Sequence, residues 1–360
     1  MKYSISMRQA GIIALFIIFS NKILLLPGLM YDYIKADAVF AVILLFALEF
    51  LTIPIFLKFK RNFPKEKLYD ILKHYLTAIG AKLIYLAAIV FMIFKALLTF
   101  SVVYVYFKEQ IYQEEFIWIA IIAFLPIMNH SVMSGLRPTA RTMELFFSII
   151  LTGFIFCLVI SFFTPISTPF FFVSSAKDIF FSLYKYAFTF GDFVFLFLII
   201  DKIDYKKAQE KKIYFYVSLG MFLVIALFFL FYCKYQLTSF MHNNALADLL
   251  VFSVQFNAIG RLDIVAMLTI MMVTLFQMEL FCFGFCECFV NIFPLNKLYG
   301  VVFFDILFLI LYYIFIGKYE IMVNSTVTWL PVLGLVVGVL FPVICLICTL
   351  IKRRKNEKTD

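Results

Sequence analysis

The sequence predicts an all-α integral membrane protein of about ten transmembrane helices, and three observations carry the prediction. Apolar residues make up 64% of the 360-residue chain, with 49 phenylalanines, while charged residues supply only 15%. The mean hydropathy of +1.02 lies far outside the range of soluble domains. Apolar stretches of about 20 residues, the length needed to cross a hydrocarbon layer, recur from end to end. No connecting segment is long enough to fold as a soluble unit. Residues 1–360 therefore read as one polytopic membrane domain, with 351–360 as a short basic cytoplasmic tail.

The first crossing, Ala10 to Met30, contains the run Ile12 to Leu29 with Ser20, Asn21 and Lys22 set into its middle. A charge at the centre of a span costs about 2.5 to 3.5 kcal/mol, so Lys22 must face a cavity, a partner or a substrate rather than lipid. Lys2 and Arg8 give the segment a signal-like basic start. It has no small-x-small cleavage site, and Asn21-Lys22 breaks its apolar region, so it is expected to be retained.

The remaining crossings are Ala38 to Leu57, Leu83 to Tyr106, Phe116 to Met133, Met143 to Phe163, Ile179 to Ile199, Ile213 to Cys233, Leu262 to Phe289, Leu298 to Ile316 and Trp329 to Leu350. An even number places both termini on one side. Loops on that side carry 22 of the 31 lysines and arginines, and the positive-inside rule makes it cytoplasmic. The formal charge of +9 is therefore mostly topology. The tail KRRKNEK reads as a stop signal attracted to anionic lipid, with no nucleic-acid partner implied.

Two connections carry helices of their own. After the second crossing, Pro64 to Ile79 has apolar residues at Leu68, Ile71, Leu72, Tyr75, Leu76 and Ile79, the three-and-four spacing of an amphipathic helix. After the seventh, Ala245 to Phe256 forms a second short apolar helix. A side helix after the second crossing of each half is what a five-plus-five inverted repeat produces, with halves of about 8–163 and 179–350. Such a repeat demands that the sixth crossing be broken like the first. Near its centre stand Phe190, Gly191 and Asp192, where glycine loosens the helix and the aspartate costs as much as Lys22 does.

Glu49, Lys95, Glu279 and Asp305 also fall near the centres of their helices. With Lys22 and Asp192, six such residues would cost roughly 15 to 20 kcal/mol if unpaired and facing lipid. Two cations and four carboxylates suggest two ion pairs and two carboxyls held neutral, the latter being candidate proton carriers. The pattern leaves their pairing open. Seven cysteines, Cys157, Cys233, Cys282, Cys286, Cys288, Cys345 and Cys348, lie within or beside apolar spans and read as packing residues rather than a disulfide framework. Cys282, Cys286 and Cys288 with Glu287 invite a soft-metal reading, but Cys288 lies off the shared helical face and no histidine is near, so no metal is expected. His74, His130 and His242 match no hydrolase or zinc pattern, and there is no phosphate loop. The chain reads as a non-enzyme without a cofactor.

At these residues the chain resembles the amino acid/polyamine/organocation transporters, and within them the B subunit of GerA-type spore germinant receptors. Three stretches carry the likeness: ISMRQAGIIALFIIFSNKILLLPG at the first helix; GLRPTARTMELFF, through Gly135, Arg141 and Glu144; and FNAIGRLDIVAMLTIMMVTLFQMELFCFG from Phe256. Phe190-Gly191-Asp192 is similar to the broken sixth helix of the wider superfamily. The resemblance implies a LeuT-like fold with helices 1 and 6 broken. It also implies a ligand site at Ser20, Asn21, Lys22, Ile23, Phe190, Gly191 and Asp192, while Lys95, Glu49, Glu279 and Asp305 read either as an ion- or proton-coupling set or as a structural buried charge network. It further implies a small nutrient such as an amino acid, A (membrane) and C (lipoprotein) subunits as partners, and residence in the inner membrane of the spore. One departure bears on specificity. Relatives that bind amino acids commonly carry Gly-Ser-Gly at the first break, where Ser20-Asn21-Lys22 stands here. The alternative that the same fold serves is a proton-coupled amino acid or amine permease.

Overall fold

The computed structural model describes residues 4–19, 21–64, 66–110, 116–163, 171, 173–242, 244–251, 263–315 and 318–356. These residues form an all-α membrane protein in which seven helices are long and apolar enough to cross a bilayer. Ser20, the stretch from Phe256 to Leu262, and the last four residues of the tail lie outside the described residues.

The chain enters through a capping box. The Ser6 hydroxyl accepts from the Gln9 N–H while the Gln9 side chain accepts from the Ser6 N–H, which satisfies two of the free donors at the start of α1, Met7–Phe19. Strand β1, Ile5–Ser6, pairs in parallel with β2, Ile203–Asp204. Eleven of the 13 residues of α1 are buried, as befits a helix that is apolar all round. After Phe19 the helix stops, Asn21–Ile23 forms a 3-10 turn, and α2 restarts at Leu26–Ile34 with Pro27 in its first turn, where a missing N–H does no harm. Next come α3, Ala38–Phe50, and α4, Thr52–Asn62. Pro54 cannot donate to the Phe50 carbonyl, which is why the two helices meet at a joint. There the Thr52 hydroxyl donates to the Glu49 carbonyl at 2.7 Å.

The amphipathic helix is shorter than its periodicity suggests: α5 is Leu68–Tyr75, with Leu68, Ile71 and Leu72 buried. The Thr77 hydroxyl accepts from the Gly80 N–H and so caps a new helix, drawing Ile79 into α6, Ala78–Gln110. The hairpin of α7, Phe116–Ser134, and α8, Leu136–Phe162, turns on Gly135 alone, whose φ of 98° suits glycine. Arg8 and Gln9 on α1 both hold Glu144 on α8, at 3.2 and 3.0 Å.

In place of a continuous sixth helix the structure has α9, Ala176–Lys185, a 3-10 turn at Ala187–Thr189, an extended Phe190, and α10, Val194–Leu198. Then follow α11, Glu210–Tyr235, and α12, Ala245–Val251; the remainder of the expected outer side helix lies outside the described residues. The Ala245 N–H donates to the Leu24 carbonyl at 3.1 Å, so α12 begins against the interruption between α1 and α2. The last segments are α13, Asp263–Ile292; α14, Lys297–Phe315; α15, Tyr319–Thr328; α16, Leu330–Leu335; a π-helical turn at Val336–Leu340; and α17, Phe341–Asn356. The polar sequence of α15 hid it from hydropathy. The core is one continuous apolar cluster running through α1, α6, α10, α11 and α13.

Candidate functional site

Four of the six mid-membrane charges meet at the two interruptions. Lys22 sits on the 3-10 turn after α1, fully buried, and its ammonium lies 3.0 Å from Asp192 Oδ2 and 3.5 Å from Glu49 Oε2. Lys95, equally buried on α6, lies 2.6 Å from Asp192 Oδ1 and donates to the Thr189 carbonyl at 3.1 Å. Asp192 thus takes one lysine on each carboxylate oxygen. Glu49 on α3 uses its other oxygen to accept the backbone N–H groups of Gly191 and Asp192, at 3.0 and 3.1 Å.

The break of the sixth segment explains why these partners are free to do this. Gly191 holds φ at 91°, a conformation that ends helical hydrogen bonding and turns two N–H groups outward. An acid on a neighbouring helix satisfies them, and a charged acceptor makes the stronger kind of hydrogen bond. The Thr189 carbonyl, released on the other side of the break, goes to Lys95. The aromatic neighbours complete the enclosure: Lys22 lies 4.7 Å from the Phe190 ring centroid and 5.6 Å from that of Phe46, and Lys95 lies 5.3 and 5.2 Å from Phe91 and Phe188. Two cations and two carboxylates leave the centre electrically neutral, which is how four charges persist in the membrane core.

Asn21 and Ile23 are also buried here, and among the described residues the Asn21 Nδ2 has no hydrogen-bond partner. Ser20 lies outside the described residues. Beside the centre is a cavity of about 60 Å³ bounded by Leu45, Glu49, Phe190, Gly191, Gly334 and Gly338. At roughly 10 to 15 Å³ per water it has room for a handful of waters.

Gly334 and Gly338 are site residues that the reading of charges passed over. A Cβ on Gly334 would come within 2.5 Å of the Phe188 backbone, and one on Gly338 within 2.8 Å of the Gly191 Cα. Their spacing of four places both on one face, and the π-helical turn carries that face onto the break. The small-xxx-small pattern of GLVVG was the available signal.

The other two carboxylates lie elsewhere. Glu279 on α13 lies near the Ser131 hydroxyl of α7, and Asp305 on α14 accepts from Asn129 Nδ2 at 2.6 Å. Neither joins the four-charge centre. Cys282, Cys286 and Cys288 are buried free thiols, and among the described residues no group of three or more histidines, cysteines or acids is placed to hold a metal.

Fold and centre together define a polytopic helical membrane protein with a buried, charge-balanced core. A family model described as "Spore germination protein" matches residues 4–321, nearly the whole chain. The chain belongs to that spore permease family of membrane germination proteins. None of the curated proteins matches it.

Proposed function

We propose that this chain is the membrane subunit of a nutrient germinant receptor that binds a small molecule, an amino acid or a compound of similar size, between the broken helices 1 and 6. In this reading the fold is the LeuT-like one, ten crossings in a five-plus-five inverted repeat with both termini in the cytoplasm. The halves are about 8–163 and 179–350, and the chain resides in the inner membrane of the spore. The observation that carries the reading is the meeting of Lys22 and Asp192, 170 positions apart, at two interrupted segments in the apolar core. Discontinuous helices place unsatisfied backbone groups at the membrane centre, where transport proteins of this architecture bind their ligands.

The Lys22 ammonium fills the place between two carboxylates that a ligand amine or a coupling cation would otherwise take. Ligand entry therefore requires the Lys22–Asp192 contact to open, with the Asn21 amide, the Phe190 ring and the Gly191 backbone available on the freed surface. A ligand that binds the opened centre better than the closed one shifts the chain between two states, and differential affinity of this kind is what a receptor needs to signal to its A and C subunits.

A second reading, a proton-coupled amino acid or amine permease, is favoured by Lys95, whose ion pair with Asp192 links an ionisable group on α6 to the same break. One experiment separates the two. The purified chain is reconstituted in liposomes and offered labelled amino acids and nucleosides with and without an inward proton gradient. Saturable binding without concentrative uptake, lost in Lys22→Ala and Asp192→Asn, supports the receptor. Concentrative uptake abolished by Lys95→Ala makes it a permease. If binding appears only with the A and C subunits present, the receptor reading stands. Binding unaffected by Lys22→Ala and Asp192→Asn removes the site.

A further inference from the structure

The four-charge centre is neutral and each of its carboxylates has a lysine, whereas the junction of α7, α13 and α14 has neither property. Glu279 is 4% exposed, its Oε2 has no hydrogen-bond partner, and no ion pair reaches it among the described residues. Near it is the Ser131 hydroxyl, which lies 2.9 Å from the Thr139 hydroxyl. On the facing helix, Asp305 Oδ2 takes the Asn129 amide N–H, while Asp305 Oδ1 and Asn129 Oδ1 are both buried with no partner among the described residues. Three buried acceptor oxygens on three helices thus lack a donor. Each such vacancy is unfavourable in an apolar surround, and an unpaired carboxylate at membrane depth more so.

Protons remove these costs. A proton on Asp305 Oδ1 can donate to the Asn129 carbonyl and complete a two-bond acid-amide pair. A proton on Glu279 abolishes the uncompensated charge that the helix would otherwise bury. Other ionisable groups around the junction are engaged elsewhere, and His130, between Asn129 and Ser131 on α7, is exposed. Lys297 of α14 donates to the Val132 carbonyl and lies over the Phe283 ring; Cys282 is a buried free thiol; Lys95 of α6 is held by Asp192 and Thr189. On α8, Glu144 is held by Arg8 and Gln9. The other charged residues of that helix, Arg137 and Arg141, lie in its first two turns.

We propose that this junction is a proton-binding site separate from the four-charge centre, with Glu279 the carboxyl that exchanges its proton and Asp305 kept as the neutral acid against Asn129. In the exchange, a hydronium ion gives its proton to the Glu279 carboxylate and leaves as water; release is the reverse. The connection to the first break runs along α13. Gln277, two residues before Glu279 and so on a different face, donates to the Phe16 carbonyl at 2.7 Å, one turn before α1 stops. Only this coupling rests on the ligand reading above; proton binding does not.

The test uses the full chain in liposomes without ligand, followed by infrared difference spectroscopy across a pH step in H2O and D2O. The expected result is a titrating, deuterium-sensitive carboxylic-acid carbonyl band in the wild type, lost in Glu279→Gln and kept in Lys22→Ala and Asp305→Asn. Glu279→Asp guards against a folding defect, because it restores a titrating band at a shifted frequency. A band unchanged in Glu279→Gln, or one lost in Lys22→Ala, overturns the proposal. So does a band removed by sodium at constant pH, which would make the junction a cation site. Because no ligand is added, failure here leaves the nutrient-site reading standing, and failure of that reading leaves this one standing.

Discussion

The neutrality of the buried centre makes a sharp prediction about charge compensation. Asp192→Asn removes both the 3.0 Å contact to Lys22 and the 2.6 Å contact to Lys95, and leaves two lysines sharing one carboxylate. Removing one partner of a buried ion pair costs about 3 to 5 kcal/mol, mostly from the charge left behind. Lys95→Met leaves the opposite imbalance, two carboxylates sharing Lys22, at a similar cost. If the effects were independent, the double variant would lose roughly 6 to 10 kcal/mol; because it restores neutrality and keeps the Lys22–Glu49 pair, its loss should fall below that of either single variant. The assay is the thermal midpoint of each detergent-purified variant, read by fluorescence-detected gel filtration. A double variant as unstable as the sum of the singles would show that the four charges are not one compensated unit.

Among further predictions, Gly191→Ala should be poorly tolerated. It places a Cβ 2.7 Å from the Gly338 Cα and holds alanine at a φ of 91°, for about 1 to 3 kcal/mol of backbone strain and a similar cost of overpacking; thermal midpoints check it. At equal membrane abundance, Lys22→Ala and Asp192→Asn should impair ligand response more than Asp305→Asn, and an equal response in all three would remove the proposed site. Burial holds the Asp201 carboxyl above its ordinary range, with Glu287 adding to the rise and Lys202 opposing it. The folded state therefore binds that proton more tightly than the unfolded chain, so this contribution to stability is full below the ordinary carboxylate value and is lost as pH rises through the raised one. Asp201→Asn should accordingly raise the thermal midpoint at neutral pH and leave it little changed in acid. Glu144→Gln should lower the midpoint modestly by loosening α1 from α8, since Arg8 is half exposed and ion pairs of that kind contribute up to about 1 kcal/mol.

Much of the membrane architecture was legible because hydropathy is a local, additive property. The helices that stand as α8, α11, α13 and α14 overlap the apolar runs closely, with ends shifted by the caps and turns that meet them. The errors have local physical causes too. Thr77 caps α6 and shortens the amphipathic helix before it, and α15 is too polar and too short for a hydropathy window. The interruptions were visible as costs, since a lysine or an aspartate in an apolar run has to be accounted for by something outside its own helix.

The sequence by itself therefore determined that this is a helical membrane protein, where its segments run, and which side chains are too costly to face lipid. Partners were another matter. That Asp192 takes two lysines, that Glu49 caps the Gly191 break, and that Glu279 and Asp305 stand apart with Asn129 and Ser131 depend on segments far apart along the chain coming together. Charge pairing acts over a few ångströms in space and carries no signature of spacing along the chain. The two glycines of α16 and the π-helical turn show the same limit from the opposite side. Their importance lies in what is absent from their side chains, and only the backbone packed against them, at Phe188 and Gly191, reveals why nothing larger fits.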